Sequence, residues 1–107
     1  MKLNIEYMTY DEITKAFDEH LKKSGCHYFS DIYVGITNNV ERRLFDEHHV
    51  SRDGQWWVYA NADNEKIARD IEEHYLDKGM RGGTGGGTGD GSATSVYCYS
   101  ITPNTVE

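Results

Sequence analysis

Apolar residues in this chain keep two periods and change between them at clear punctuation. Ile13, Ala16, Phe17 and Leu21, with His20, recur at helical spacing. Thr9 and Glu12 have capping-box spacing at the start of that run and Gly25 is a natural stop, so a first helix is expected over residues 9–24. The preceding KLNIEYM alternates weakly, as a short strand would. From His27 to Thr37, HYFSDIYVGIT is rich in β-branched and aromatic residues and reads as the best strand of the chain. Asn38-Asn39 is turn and cap chemistry, and Val40, Leu44 and His48 then line one face of a second helix. SRDG is a turn and QWWVYANA a further strand. Asp63 or Asn64 caps a third helix running to Lys78, with Ile67, Ala68, Ile71 and Tyr75 as its buried stripe. A glycine-rich loop over 79–92 leads to a last strand, SVYCYSIT over 95–102, which Pro103 ends. This order predicts an α+β fold, a small, mainly antiparallel sheet of three to four strands flanked by three helices.

At 107 residues the chain is expected to be a single domain, 1–107. With 37 % apolar and 27 % charged residues it folds without much hydrophobic surplus, and its eight tyrosines and two tryptophans bring polar tips into whatever they bury. No apolar run approaches the roughly 18 residues of a membrane span. Nor is Met1 followed by a signal-type hydrophobic core, so a cytoplasmic protein with no membrane partner is expected. Cys26 and Cys98 stand far apart, in no metal or redox spacing, and read as reduced core or edge thiols. The five histidines show no zinc-type spacing. A net charge of −7 argues against a non-specific polyanion binder. Arg42 and Arg43 nevertheless make a locally basic patch, so the total does not by itself exclude nucleic acid.

Three segments carry chemistry that belongs together: Tyr33 on a strand, Arg43 on the helix after it, and an acid on the third helix. The strand reads Tyr33-Val34-Gly35-Ile36-Thr37, the helix Glu41-Arg42-Arg43-Leu44 with a histidine beyond, and the later helix Ala68-Arg69-Asp70-Ile71-Glu72. In that order they resemble the GIY-YIG nuclease superfamily. Its second motif is a Tyr-(Ile/Val)-Gly-x-(Thr/Ala) strand, followed by a helix with an Arg and usually a His, and later by a glutamate inside Ala-x-x-(Leu/Ile)-Glu. The resemblance covers about residues 28–78 and implies a GIY-YIG-like fold and divalent-metal-dependent hydrolysis of phosphodiester bonds in DNA. Glu72 would hold a single Mg²⁺ or Mn²⁺, a hard cation that takes one or two carboxylates with waters and phosphate oxygens. Arg43 would offer permanently charged donors to the phosphate as negative charge builds. Tyr33 would orient or deprotonate the attacking water, helped by nearby cations because a phenol's reference pKa is about 10. Helix geometry separately favours Glu72 over its neighbour: at about 100° per residue, Glu72 borders the Ile67/Ile71/Tyr75 stripe while Glu73 points away. Gly35 would let a phosphate approach over a position without a side chain. Arg42 is an alternative phosphate contact. Arg81 could touch a nucleic-acid backbone, whereas the glycine run itself lacks a P-loop ending and reads as a flexible connector.

Two positions depart from the family pattern. The tyrosine of the first motif, Gly-Ile-Tyr, would fall at Lys22, at a helix end. Either the N-terminal elements replace that strand, or Tyr28 in GCHYF plays the part in a shortened form. The family histidine would fall at Glu47, whose ordinary reading is an ion pair with Arg43. His48 comes one step later, about 140° from Arg43 on a regular helix, and a π-bulge or an early helix end would return it to the site. These departures sustain a rival reading, a non-catalytic module of the same fold that binds nucleic acid or protein. Trp56-Trp57 would send one ring to the core and leave one for base stacking. Specificity would come from loops, a homodimer or a partner protein.

Overall fold

The longest pairing in the structure joins a strand from the first third of the chain to its last strand. In this computed structural model, which describes residues 7–82 and 91–107, β2 (Ile32–Thr37) runs antiparallel to β4 (Ser95–Ser100). Tyr33 then stands opposite Tyr99, and Gly35 opposite Tyr97. The other edge of β4 pairs antiparallel with β3 (Trp57–Ala62), and β1 (Tyr7–Met8) adds a short parallel edge to β3. The sheet order is β1-β3-β4-β2. Two α-helices, α1 (Tyr10–Leu21) and α2 (Glu65–Asp77), a π-helix (Arg42–Glu47) and a 3-10 turn (Phe29–Asp31) complete an α+β architecture. No helix among the described residues is long and apolar enough to cross a membrane.

Side chains on successive strand residues alternate between faces, and here both faces are covered. Ile32, Val34, Ile36, Val58, Val96 and Cys98 pack under the helices with Ile13, Phe17, Ala68, Ile71 and Tyr75. Each fully buried Val, Ile or Phe among them contributes about 1.5–3 kcal/mol. Tyr33, Tyr97 and Tyr99 point the other way and pack with Leu44 and Val50 from the segment after β2. That is why every residue of β2 is buried although its two faces carry different chemistry. Between the helices, the Tyr75 hydroxyl bonds Asp18 Oδ1 at 2.9 Å and lies 3.1 Å from the Thr14 carbonyl.

Boundaries move where local hydrogen bonds compete with the periodic pattern. The Thr9–Glu12 capping box forms as expected. The first helix ends at Leu21 rather than near 24, because Ser24 Oγ donates to the Leu21 carbonyl at 2.8 Å and Gly25 takes φ +79°. Strand pairing begins at Ile32, after the 3-10 turn, rather than at His27. Asn64, not Asp63, caps α2 by accepting from Ile67 N–H at 2.9 Å. The connector expected over 79–92 is described only at its ends, and residues 83–90 lie outside the described residues. Its start is anchored: Arg81 N–H donates to the Ile32 carbonyl and Val34 N–H to the Arg81 carbonyl, both at 2.9 Å, so Arg81 extends the outer edge of β2.

Replacing Tyr75 with Phe keeps the ring and removes the hydroxyl that links α2 to α1. Urea unfolding of Tyr75→Phe is expected to show a loss of about 1 kcal/mol, with the slope of the transition unchanged.

Candidate functional site

The helix after β2 starts on two side-chain contacts. Thr37 Oγ1 accepts the Asn39 N–H at 3.0 Å, and Asn39 Oδ1 accepts the Arg42 N–H at 3.1 Å. The winding is π over Arg42–Glu47, and the His48 N–H reaches the Arg43 carbonyl at 2.9 Å. Val50 N–H closes the segment onto the Leu44 carbonyl, also at 2.9 Å. A turn closed over five residues brings His48 over Arg43, where a regular helix would set them about 140° apart. Leu44, His48 and Val50 are all buried beneath it, His48 at 2 % exposure. His49 takes φ 60° and faces outward.

His48 lies among three tyrosines. Its ring centroid is 4.8 Å from Tyr33, 4.9 Å from Tyr99 and 5.5 Å from Tyr97, and Tyr33 stacks on Tyr99 at 5.1 Å. Nδ1 is 2.6 Å from the Val106 carbonyl oxygen, and Nε2 is 2.8 Å from Tyr97 Oη. A carbonyl can only accept, so the ring proton sits on Nδ1 and the Nε2 lone pair faces Tyr97. The Tyr97 hydroxyl therefore donates to Nε2. Tyr99 Oη, 3.0 Å from Nδ1, can only share the Nδ1 proton as a second acceptor.

Charge enters this cluster from the rim. Glu47 accepts from Arg43 Nη1 at 2.7 Å on one oxygen and from Arg42 Nε at 3.0 Å on the other. Burial works against the Arg43 charge, but the Glu47 hydrogen bond and the Tyr97 phenol outweigh it and hold Arg43 above its ordinary pKa. Burial raises the Tyr97 phenol, with Arg43 opposing and Tyr33 and Glu72 reinforcing. Tyr99 is raised for the same first reason. His48 is lowered, chiefly by burial, so its neutral form is favoured.

Of the residues singled out in the sequence, the structure brings Tyr33, Arg43 and His48 together. Glu72 stands on α2, whose buried stripe packs on the other face of the sheet, and it acts only weakly on Tyr97. It is 7 % exposed, its charge is felt at Tyr97, and burial raises its carboxyl pKa against a weaker pull from Arg69. Its neighbour Glu73 is exposed. The approach expected over Gly35 is corrected: the Tyr97 phenol fills it. A Cβ at Gly35 would lie 2.5 Å from Tyr97 Oη and 2.6 Å from Cζ, so this glycine seats a tyrosine. Arg42 is held by Glu47, and Arg81 Nη2 pairs with Glu107 at 3.2 Å. Tyr28 is 72 % exposed and lines a cleft of about 340 Å³ with Asp18, Leu21, Ile32 and Lys78. Ile32 belongs to the helix-covered face, so Tyr28 does not join the cluster. The strand beside β2 is β4, and the cluster's further tyrosines come from there. Tyr97 and Tyr99 were not picked out in the sequence. Their alternation in SVYCYSIT is the signal, since two strand residues apart share a face. Trp56 packs toward the helix-covered core, and Trp57 takes the tyrosine face, 5.2 Å from Phe45.

No family model, curated protein or solved structure matches this chain. A hard divalent cation needs an oxygen donor that is not already engaged, and Glu72 Oε2 is buried with no hydrogen bond. One carboxylate completed by waters and phosphate oxygens suits Mg²⁺ or Mn²⁺, so Glu72 fits. Among the described residues no group of three or more His, Cys, Asp or Glu side chains is placed to ligate a metal.

Two outcomes follow from this packing. Gly35→Ala should cost about 1–3 kcal/mol in urea unfolding, because Tyr97 must leave its seat. Glu72→Met should raise stability at neutral pH by about 1–3 kcal/mol, the cost of an unpartnered buried acceptor. The gain has a definite pH signature. A carboxyl raised by folding contributes stability that is fully present below its unfolded pKa and is lost as pH rises through the folded one. The advantage of Glu72→Met should accordingly be smallest below about pH 4.5, the unfolded carboxyl value, and grow as pH rises; a difference flat with pH would remove the burial argument.

Proposed function

We propose that this chain is a GIY-YIG-type, metal-dependent endonuclease that hydrolyses phosphodiester bonds in DNA. The observation that carries the reading is the side-chain cluster in which the Tyr97 hydroxyl meets His48 Nε2 at 2.8 Å, with Tyr33 packed on the imidazole and Arg43 at the rim. Arg43 is the anion donor: its guanidinium binds the non-bridging phosphate oxygens and steadies the charge that builds on them. Tyr97 and His48 form the proton path. As the phenol oxygen takes a proton from the attacking water, its own proton passes to His48 Nε2. Burial favours neutral His48 and so keeps that lone pair available near neutral pH. Tyr33, stacked on Tyr99, holds the imidazole in place through a tilted ring contact. Glu72 would hold the divalent cation, which when bound supplies Lewis-acid polarisation of the phosphate and charge for the leaving oxygen.

A specific observation favours a second reading, a binding module without catalysis. Glu47 already engages one guanidinium nitrogen of each of Arg42 and Arg43. The cleft beside Tyr28 and the groove beside Trp57 are both lined by residues other than Tyr33, Arg43, His48 and Glu72. In the catalytic reading, a phosphate displaces Glu47 from Arg43. That pair is partly exposed, and such pairs contribute no more than about 1 kcal/mol, so the exchange is energetically open.

A nicking assay on supercoiled plasmid and branched oligonucleotides, with Mg²⁺ or Mn²⁺, separates the readings. Cleavage by wild type is expected to fall about 10²–10³-fold in Arg43→Ala and about 10²–10⁴-fold in Tyr97→Phe, and to be lost in Glu72→Gln. Wild type that binds but never cuts assigns the module. Equal cutting by all four proteins places the chemistry elsewhere.

A further inference from the structure

Beyond β4 the chain does not run off into solvent. Thr102 and Thr105 close a turn: Thr105 N–H donates to the Thr102 carbonyl at 3.1 Å, Thr102 N–H to Thr105 Oγ1 at 3.1 Å, and Asn104 N–H to Thr102 Oγ1 at 3.2 Å. Pro103 pre-sets the backbone angle at the start of such a turn. The reversed chain then pairs with His48 from both sides of one residue. Val106 N–H donates to the His48 carbonyl at 2.8 Å, and the Val106 carbonyl accepts from His48 Nδ1 at 2.6 Å. Beyond it, Glu107 pairs with Arg81, which is itself fastened to the edge of β2. Val106 has a half-exposed side chain, so what it brings to the cluster is its backbone.

We infer that the segment Thr102–Glu107 is a strap whose Val106 carbonyl sets the tautomer of His48 and so aims the Nε2 lone pair at Tyr97. The chemistry admits little else. His48 has two ring nitrogens and, near neutral pH, one proton. Each nitrogen faces a tyrosine hydroxyl, and a hydroxyl can donate or accept, so Tyr97 and Tyr99 alone leave both tautomers satisfied. The Val106 carbonyl, an obligate acceptor, breaks that symmetry at Nδ1. Without it, the Nε2–H form becomes equally available: Tyr99 donates to Nδ1, Nε2–H donates to Tyr97, and no lone pair remains to take the Tyr97 proton. Val106 is thus a positioning residue acting through its main chain, with Glu107–Arg81 as its outer fastening. The catalytic consequence rests on the hydrolase reading. The tautomer itself does not.

The test reads the tautomer directly. Long-range ¹H–¹⁵N spectra of the full chain, with the His48 signals assigned by their absence in His48→Gln, report which ring nitrogen carries the proton. Wild type is expected to show the Nδ1–H form alone, and a chain ending at Thr105 to show the Nε2–H form or an average of the two. Because a shortened chain can lose structure, a second variant inserts one glycine between Thr105 and Val106; it keeps every residue and shifts the carbonyl out of register, with the same expected loss of the single tautomer. Val106→Leu, which changes only the side chain, should behave as wild type. Nε2–H in wild type, or Nδ1–H retained in both backbone variants, overturns the inference. In the nicking assay the glycine insertion should lower kcat at least tenfold with KM unchanged, and an unchanged kcat beside a shifted tautomer overturns the catalytic role. If wild type does not cut DNA, the hydrolase reading fails while the tautomer measurement still decides the strap.

Discussion

Tyr97 occupies the volume that any side chain at Gly35 would need, and the rest of the tyrosine face is built outward from that contact. The β2–β4 register sets the two residues opposite one another, and the absent Cβ lets the phenol lie flat over the neighbouring strand. In that position its hydroxyl meets both His48 Nε2 and the Arg43 guanidinium. A larger residue at 35 would push the phenol off both. The π winding of Arg42–Glu47 is the matching constraint from the other side, because it carries His48 down onto the phenol without taking Arg43 away. Each depends on the other, as neither the glycine nor the π turn makes a site alone.

The cluster is also an exercise in suppressed charge. Burial favours the neutral forms of Tyr97, Tyr99, His48 and Glu72 together, while the rim pair Arg43 and Glu47 strengthen each other as ions. Inside such a region the effective dielectric is low, so a single guanidinium acts on its neighbours far more strongly than it would in water. The same burial leaves Glu72 Oε2 without a partner, a cost to the fold that an apolar residue would avoid. Positions that lower stability in this way are where function is most often found.

Much of the fold was legible in the chain because its signals are local. Thr9 and Glu12 announced the first cap, the Asp63-Asn64 pair the cap of α2, and the Ala68/Ile71/Tyr75 stripe its buried face with Glu72 at the border. The strand ends were less legible, since the Phe29–Asp31 turn competes with β propensity through backbone bonds that no composition reveals. In the site, Tyr33 and Arg43 stood out by motif. Tyr97 did not, because a tyrosine in a strand is ordinarily packing, and its partner is far away in the sequence. Arg43 and Glu47 show the converse, a short-range ion pair foreseeable from helix spacing that ends up holding the very donor the chemistry needs.

By itself, then, the sequence determined what depends on neighbours a few residues apart: which segments are helix or strand, which faces are apolar, where the caps lie. The tertiary structure alone decided what depends on partners dozens of residues apart. It chose β4 rather than an upstream segment as the strand beside β2, gave Gly35 to Tyr97 instead of to a phosphate, and brought the Val106 carbonyl to His48. The reason is physical. A period of 3.6 or 2 tells a side chain which face to take, but the occupant across that face is set by packing and register, which emerge only when the whole chain closes on itself.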